Sequence, residues 1–167
     1  MTVERRISRL FNLTDENWMK HSNPWSVWTR FTVLPLLVMA SWSRVWLGWW
    51  SLIPIALAVA WMLLNPVLFK PPRSTANWAS KGVLGERVWA NRDNVAVPAH
   101  HRVLPNILNG IAAAGAVLTI WGVVSLSVWP TVMGLFVTIS LKLWFVDRMV
   151  WLYEDMKHVP EYGKWLY

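Results

Sequence analysis

Four histidines and a few carboxylates are the residues of this chain best suited to chemistry. His21, His100, His101 and His158, together with Glu154, offer imidazole nitrogens and a carboxylate, a donor set that suits iron, manganese or zinc. Asp147, Trp151, Glu154 and His158 recur at i, i+4, i+7 and i+11, so a helix continued through them carries both carboxylates and the imidazole on one face. Glu86 and Asp147 are candidates to orient such ligands from behind. The pattern has no His-x-x-His-His box and no Glu-x-x-His pair, because Glu154 and His158 are four apart; Asp155 and His158 give the i, i+3 spacing once. With no Cys in the sequence, thiolate metal sites, iron–sulfur clusters, disulfides and cysteine nucleophiles are excluded together. The competing reading is electrostatic. Asp147, Arg148, Glu154 and Asp155 are then interfacial charges paired with Arg30, Arg87 or Lys157, and the histidines cap helices at headgroup level.

The elements that must position these residues are apolar helices. Of the 167 residues, 55% are hydrophobic and 15% charged, against about 45–50% and about 25% in a soluble domain. Between Arg44 and Lys70 all 25 residues are uncharged, roughly 37 Å of helix against a hydrocarbon core of about 30 Å. Between Arg102 and Lys142 lie 39 uncharged residues, about twice the roughly 20 that one crossing needs. The run divides at Ser125–Pro130, where Pro130 suits the first turn of a new helix. Arg30 to Lys70 encloses another 39, interrupted only by Arg44. Its first helix is the short one: Phe31–Ser43 spans only if Trp25 and Trp28 belong to it and Arg30 snorkels, the alternative being a re-entrant segment. Asn23-Pro24 reads as an N-cap followed by proline at the first helical position. Pro35, Pro54 and Pro105 predict kinks, and Gly110–Ala116 predicts a small-residue packing face on the third helix.

The expected fold is therefore all-α: a polytopic membrane protein with four transmembrane helices in two hairpins and a short amphipathic N-terminal helix. Its parts are a cytoplasmic amphipathic segment over 1–22, a first hairpin over 24–69, a cytoplasmic loop over 70–102, a second hairpin over 103–146 and a cytoplasmic tail over 147–167. Val3, Ile7, Leu10 and Phe11, opposite Arg5, Arg6 and Arg9, give the N-terminal segment its amphipathic pattern. The polar stretch from Thr14 to Asn17 falls where a cleavable signal needs its apolar core, so none is expected.

Lys and Arg total 16 against 9 Asp and Glu, a net charge of +7. They cluster before the first hairpin, between the hairpins and after the second, with Arg44 alone on the opposite side. By the positive-inside rule both termini and the middle loop are cytoplasmic, which accounts for the positive charge with no nucleic acid as partner. The 15 tryptophans fit this topology. Trp42, Trp46, Trp49, Trp50 and Trp129 belong to an outer aromatic belt, and Trp25, Trp28, Trp144 and Trp151 to an inner one. Trp18, Trp78, Trp89 and Trp165 are assigned to the headgroups. Lys142 is read as snorkelling to the inner interface.

Four strings, His21–Arg30 (HSNPWSVWTR), Asn65–Pro72 (NPVLFKPP), Leu84–Trp89 (LGERVW) and Asp147–Trp151 (DRMVW), together resemble a family of small Trp-rich prokaryotic integral membrane proteins catalogued only as a domain of unknown function. The resemblance covers nearly the whole chain, brings no catalytic residues, and implies a prokaryotic plasma membrane. It points at His21, Asn23, Arg30, Asn65, Glu86, Arg87 and Asp147 as a polar cluster at the cytoplasmic boundary. The expected function is non-catalytic binding at that face, to lipid, to a membrane-protein partner or to a second copy of the chain. The alternative is a membrane enzyme with a divalent iron, manganese or zinc held by His21, His100, His101, Glu154 and His158. A third reading, a small transporter, requires a water-filled path along Asn106 and Asn109.

Overall fold

The computed structural model describes residues 15–167, and every regular element among them is helical. The amphipathic pattern of Val3–Phe11 lies outside the described residues. Three segments are long and apolar enough to cross a membrane: Pro24–Pro66, Ala99–Val124 and Val128–Met156.

Helix α1 (Asp15–His21) leads into α2 (Pro24–Arg30), whose start is fixed as expected. The Asn23 side chain accepts from the Trp25 amide at 2.9 Å, and Pro24 follows where a missing N–H costs nothing. Between α2 and α3 (Val33–Trp42) the chain breaks at Phe31–Thr32. Pro35 explains the position, since its ring excludes a helical carbonyl at residue 31, four positions earlier. Pro54 and Pro105 instead sit in the first turns of α5 (Leu52–Leu68) and α7 (Leu104–Val124), starting these helices.

The first segment folds back on itself. After α4 (Arg44–Leu47), Gly48 takes φ +53°, and a 3-10 turn over Gly48–Ser51 leads into α5. Antiparallel pairing of the two arms is recorded by polar bridges: Asn23 Nδ2 to Lys70 O at 2.8 Å, Asn65 Nδ2 to Thr29 Oγ1 at 2.7 Å, and Trp61 Nε1 to Thr32 Oγ1 at 3.3 Å. Asn65 is fully buried, so these partners satisfy an amide that would otherwise be costly in an apolar setting.

Helices α7 and α8 (Val128–Met156) form the second hairpin. Their seam is glycine and threonine. A Cβ added at Gly134 would fall 2.5 Å from the Thr119 amide nitrogen and 2.6 Å from the Gly115 carbonyl oxygen. Thr119, Thr131 and Thr138 donate their hydroxyls to carbonyls four residues back in or at the start of their own helix, at 2.9, 2.7 and 2.8 Å, so close packing leaves none unpaired. The seam therefore uses Gly115, Thr119 and Gly122 of α7. Of the expected Gly110–Ala116 face, Gly110 looks into open space.

The middle loop holds α6 (Trp78–Ala90), N-capped by Asn77 accepting from the Ser80 amide. It docks on the far half of α8, and Gly85 makes the approach possible, because a Cβ there would overlap the Met149 carbonyl. Leu84, Val88, Trp89, Met149, Leu152, Tyr153 and Tyr162 form a closed core at this contact. Helix α8 runs on to Met156, because Met149, Leu152, Tyr153 and Met156 have α6 and the tail to bury against. After α9 (Pro160–Gly163) the tail closes on the loop: Thr75 N donates to Tyr167 O at 2.7 Å and Thr75 Oγ1 to Trp165 O at 2.8 Å.

Tryptophans assigned to the headgroups mostly have protein partners. Trp89 and Trp165 belong to the core, Trp78 stacks on Trp28 at 5.4 Å between ring centroids, and Trp18 meets the His21 ring edge-on. Arg44 reaches across from the first hairpin to donate to Val123 O at 2.5 Å and Val124 O at 3.0 Å. It thereby caps the C-terminal carbonyls of α7, the polarity a cation favours.

Candidate functional site

A cavity of about 800 Å³ lies between the first hairpin and helices α6, α7 and α8. Its walls are mostly apolar, with Phe31, Leu34, Met62, Ile139 and Phe145 among the lining residues, while His21, Arg30, Glu86 and Lys142 bring charge and hydrogen-bonding capacity. The volume falls within the roughly 300–1,000 Å³ of small-molecule sites, whose usual form is an apolar body with a few placed polar groups.

Arg30 Nη1 lies 2.5 Å from His21 Nε2, and Arg30 Nη2 donates to the His21 carbonyl at 3.1 Å. A guanidinium can only donate, so His21 Nε2 accepts and its ring proton is assigned to Nδ1. Burial, then the charges of Arg30 and Lys142, hold the His21 pKa well below its ordinary 6.5, and the ring is neutral at pH 7. Lys142 Nζ pairs with Glu86 Oε1 at 2.7 Å and lies 4.3 Å from the Phe145 ring centroid. Two cations against one carboxylate leave the charged groups of the cavity with one net positive charge.

Three buried nitrogens of lining residues have no hydrogen-bond partner among the described residues: His21 Nδ1, Arg30 Nε and Trp89 Nε1. All three are donors. Each is enclosed by protein atoms, with next to no surface open to the cavity, so these unpaired donors are a local cost of about 1–3 kcal/mol apiece, more when charged, and not ready contacts for a ligand.

Of the seven residues in the expected polar cluster, His21, Arg30 and Glu86 meet at this cavity. Asn23 and Asn65 tie the arms of the first hairpin together. Asp147 accepts from Trp78 Nε1 at 3.1 Å and from Arg148 at 3.0 Å, while the Arg87 guanidinium lies 4.0 Å from the Trp165 ring centroid. Lys142, read in the sequence as snorkelling to the inner interface, is the charged cavity residue that the expected cluster did not include. Asn109 lines the cavity, whereas Asn106 donates to the Arg102 carbonyl of its own chain segment.

The five expected metal ligands do not gather at one point. His21 is engaged with Arg30, Glu154 pairs with Lys81 at 2.5 Å and Lys157 at 2.6 Å, and His158 lies exposed beyond the end of α8. His100 and His101 do come together, on Asp155, each with Nε2 at 2.9 Å from Asp155 Oδ2.

Residues 2–165 match the model of a family of unknown function, DUF6653. No curated protein and no solved structure matches the chain.

Proposed function

This chain belongs to the family of unknown function DUF6653, and for this member we propose a non-catalytic role: binding one acidic amphiphile at the cytoplasmic face of a prokaryotic plasma membrane. The acidic head, a carboxylate or a phosphate, sits against His21 and Arg30, and the apolar tail lies along the walls toward Leu34, Met62 and Ile139. The observation that carries this reading is a mostly apolar cavity of about 800 Å³ whose charged lining residues, Arg30, Lys142 and Glu86, leave one net positive charge. His21, being neutral, adds no further charge to that balance, so the site favours one anionic group.

In this reading the chain crosses four times, through residues 24–42, 52–68 and 104–124 and from 128 toward the inner boundary. The antiparallel bridges of the first hairpin support the first two crossings. The distribution of Lys and Arg supports cytoplasmic termini and middle loop.

The test is mass spectrometry of lipid extracted from detergent-purified protein. The wild type is expected to carry about one anionic amphiphile per chain, and Arg30→Gln to reduce its occupancy about tenfold or more, the effect of one lost charge-assisted contact. A fatty-acid carboxylate and a phospholipid phosphate separate by mass in the same experiment. Protein that carries only zwitterionic or detergent molecules, or Arg30→Gln protein with full occupancy, overturns the reading.

A further inference from the structure

Away from the cavity, at the same end of the molecule, three potential ligands converge from two elements. A 3-10 turn over Ala99–His101, set by Pro98, presents two consecutive histidines to the last turn of α8. The Nε2 atoms of His100 and His101 both lie 2.9 Å from one oxygen, Asp155 Oδ2, and the two rings are 4.2 Å apart between centroids. All three potential ligand atoms fall within 4.8 Å of one another. None of these residues lines the cavity.

We propose that His100, His101 and Asp155 bind one divalent cation of the zinc class. Two imidazoles and a carboxylate are the three-ligand set of open zinc sites, in which water or a substrate atom completes a tetrahedron. Imidazole nitrogens also select against magnesium and calcium, which take oxygen ligands. The side chain of His101 is only 5% exposed, whereas those of His100 and Asp155 are 67% and 42% exposed. One ligand is thus anchored in the protein while the other two open the site to solvent, which leaves room for an exchangeable water. On binding, the proton that each Nε2 shares with Asp155 moves to Nδ1, and both imidazoles ligate as neutral groups. The ion then fastens the chain that enters α7 to the end of α8, across 54 residues of sequence.

The experiment uses tag-free full-length protein in detergent, stripped with EDTA and titrated calorimetrically with zinc chloride. One zinc ion per chain is expected. Affinity falls by at least about 100-fold in His100→Ala and in Asp155→Asn, beyond the 10–100-fold typical of residues that only orient a ligand. His100 is exposed, so its substitution leaves the fold intact where His101→Ala can disturb it. His158→Ala leaves the affinity unchanged, and Arg30→Gln does too, which separates this site from the amphiphile cavity. Cobalt substitution gives the intense visible absorption of a tetrahedral site. The absence of saturable zinc binding, full affinity in His100→Ala or Asp155→Asn, or an equal loss in His158→Ala overturns the assignment.

Discussion

At the end of the molecule where Arg44 meets Val123, the largest side chains point outward: Trp46 is 75% exposed, Trp49 88% and Trp129 81%. At the opposite end, where α6 docks on α8, Trp89 is 1% exposed and shares a closed core with Tyr153 and Tyr162. The same residue type serves two solvents. Outward tryptophans find their apolar surroundings in lipid and headgroups and contribute little to the internal packing. Inward ones replace lipid with protein, in a region built like the core of a soluble domain. The charged residues of the cavity and the histidine pair, on which both proposed sites are built, lie toward the packed end.

The sharpest way to break this comparison is to truncate one tryptophan at each end. Trp89→Ala is expected to cost about 3–5 kcal/mol in unfolding measured in detergent, the range for emptying a large aromatic from a core. Gly85→Ala acts in the same direction, since its methyl meets the Met149 carbonyl and drives α6 off α8. Arg44→Ala comes next, at about 1.5–3 kcal/mol for the loss of charge-assisted bonds to the α7 carbonyls. Hydrogen exchange is expected to rise near Ser125–Ser127 and stay unchanged in α6, which shows that the two ends open separately.

Acidification gives a smaller effect at the packed end. His21 has a folded pKa below its unfolded 6.5, so below that pH the unfolded chain binds the extra proton and stability falls. The slope approaches about 1.4 kcal/mol per pH unit, and His21→Gln flattens it in a thermal-unfolding series from pH 7.5 to 5. Smallest of all is Trp46→Ala, expected within about 0.5 kcal/mol of wild type. A loss equal to that of Trp89→Ala would erase the distinction between the ends.

Much of the frame was legible in the sequence because it follows from local rules. Uncharged runs mark apolar helices, Asn23-Pro24 starts α2, and Arg44 is conspicuous as a lone cation between apolar stretches. What remained hidden depends on how helices rotate against one another. Glu154 and Asp155 differ by one residue, about 100° around α8, and docking on α6 turns Glu154 toward Lys81 and Asp155 toward the histidines. Gly110 and Gly115 look equivalent in sequence, yet only Gly115 lies on the seam with α8. The pairing of Lys142 with Glu86 joins residues 56 apart, and local spacing carries no record of it. Trp89 and Trp165, assigned to the headgroups, are buried for the same reason: a tryptophan covered by a distant segment looks in sequence like one that lies on the membrane surface.

The two-solvent account rests on a membrane separating the exposed-tryptophan end from the packed end, and the absence of cysteine from the chain allows that to be measured directly. Single cysteines placed at Ser125, Arg73 and Lys164 are treated with a membrane-impermeant maleimide in intact cells and again after permeabilisation. The account predicts that Ser125→Cys reacts in intact cells and that Arg73→Cys and Lys164→Cys react only once the membrane is opened. Labelling of all three positions in intact cells, or of Arg73→Cys and Lys164→Cys alone, would contradict it.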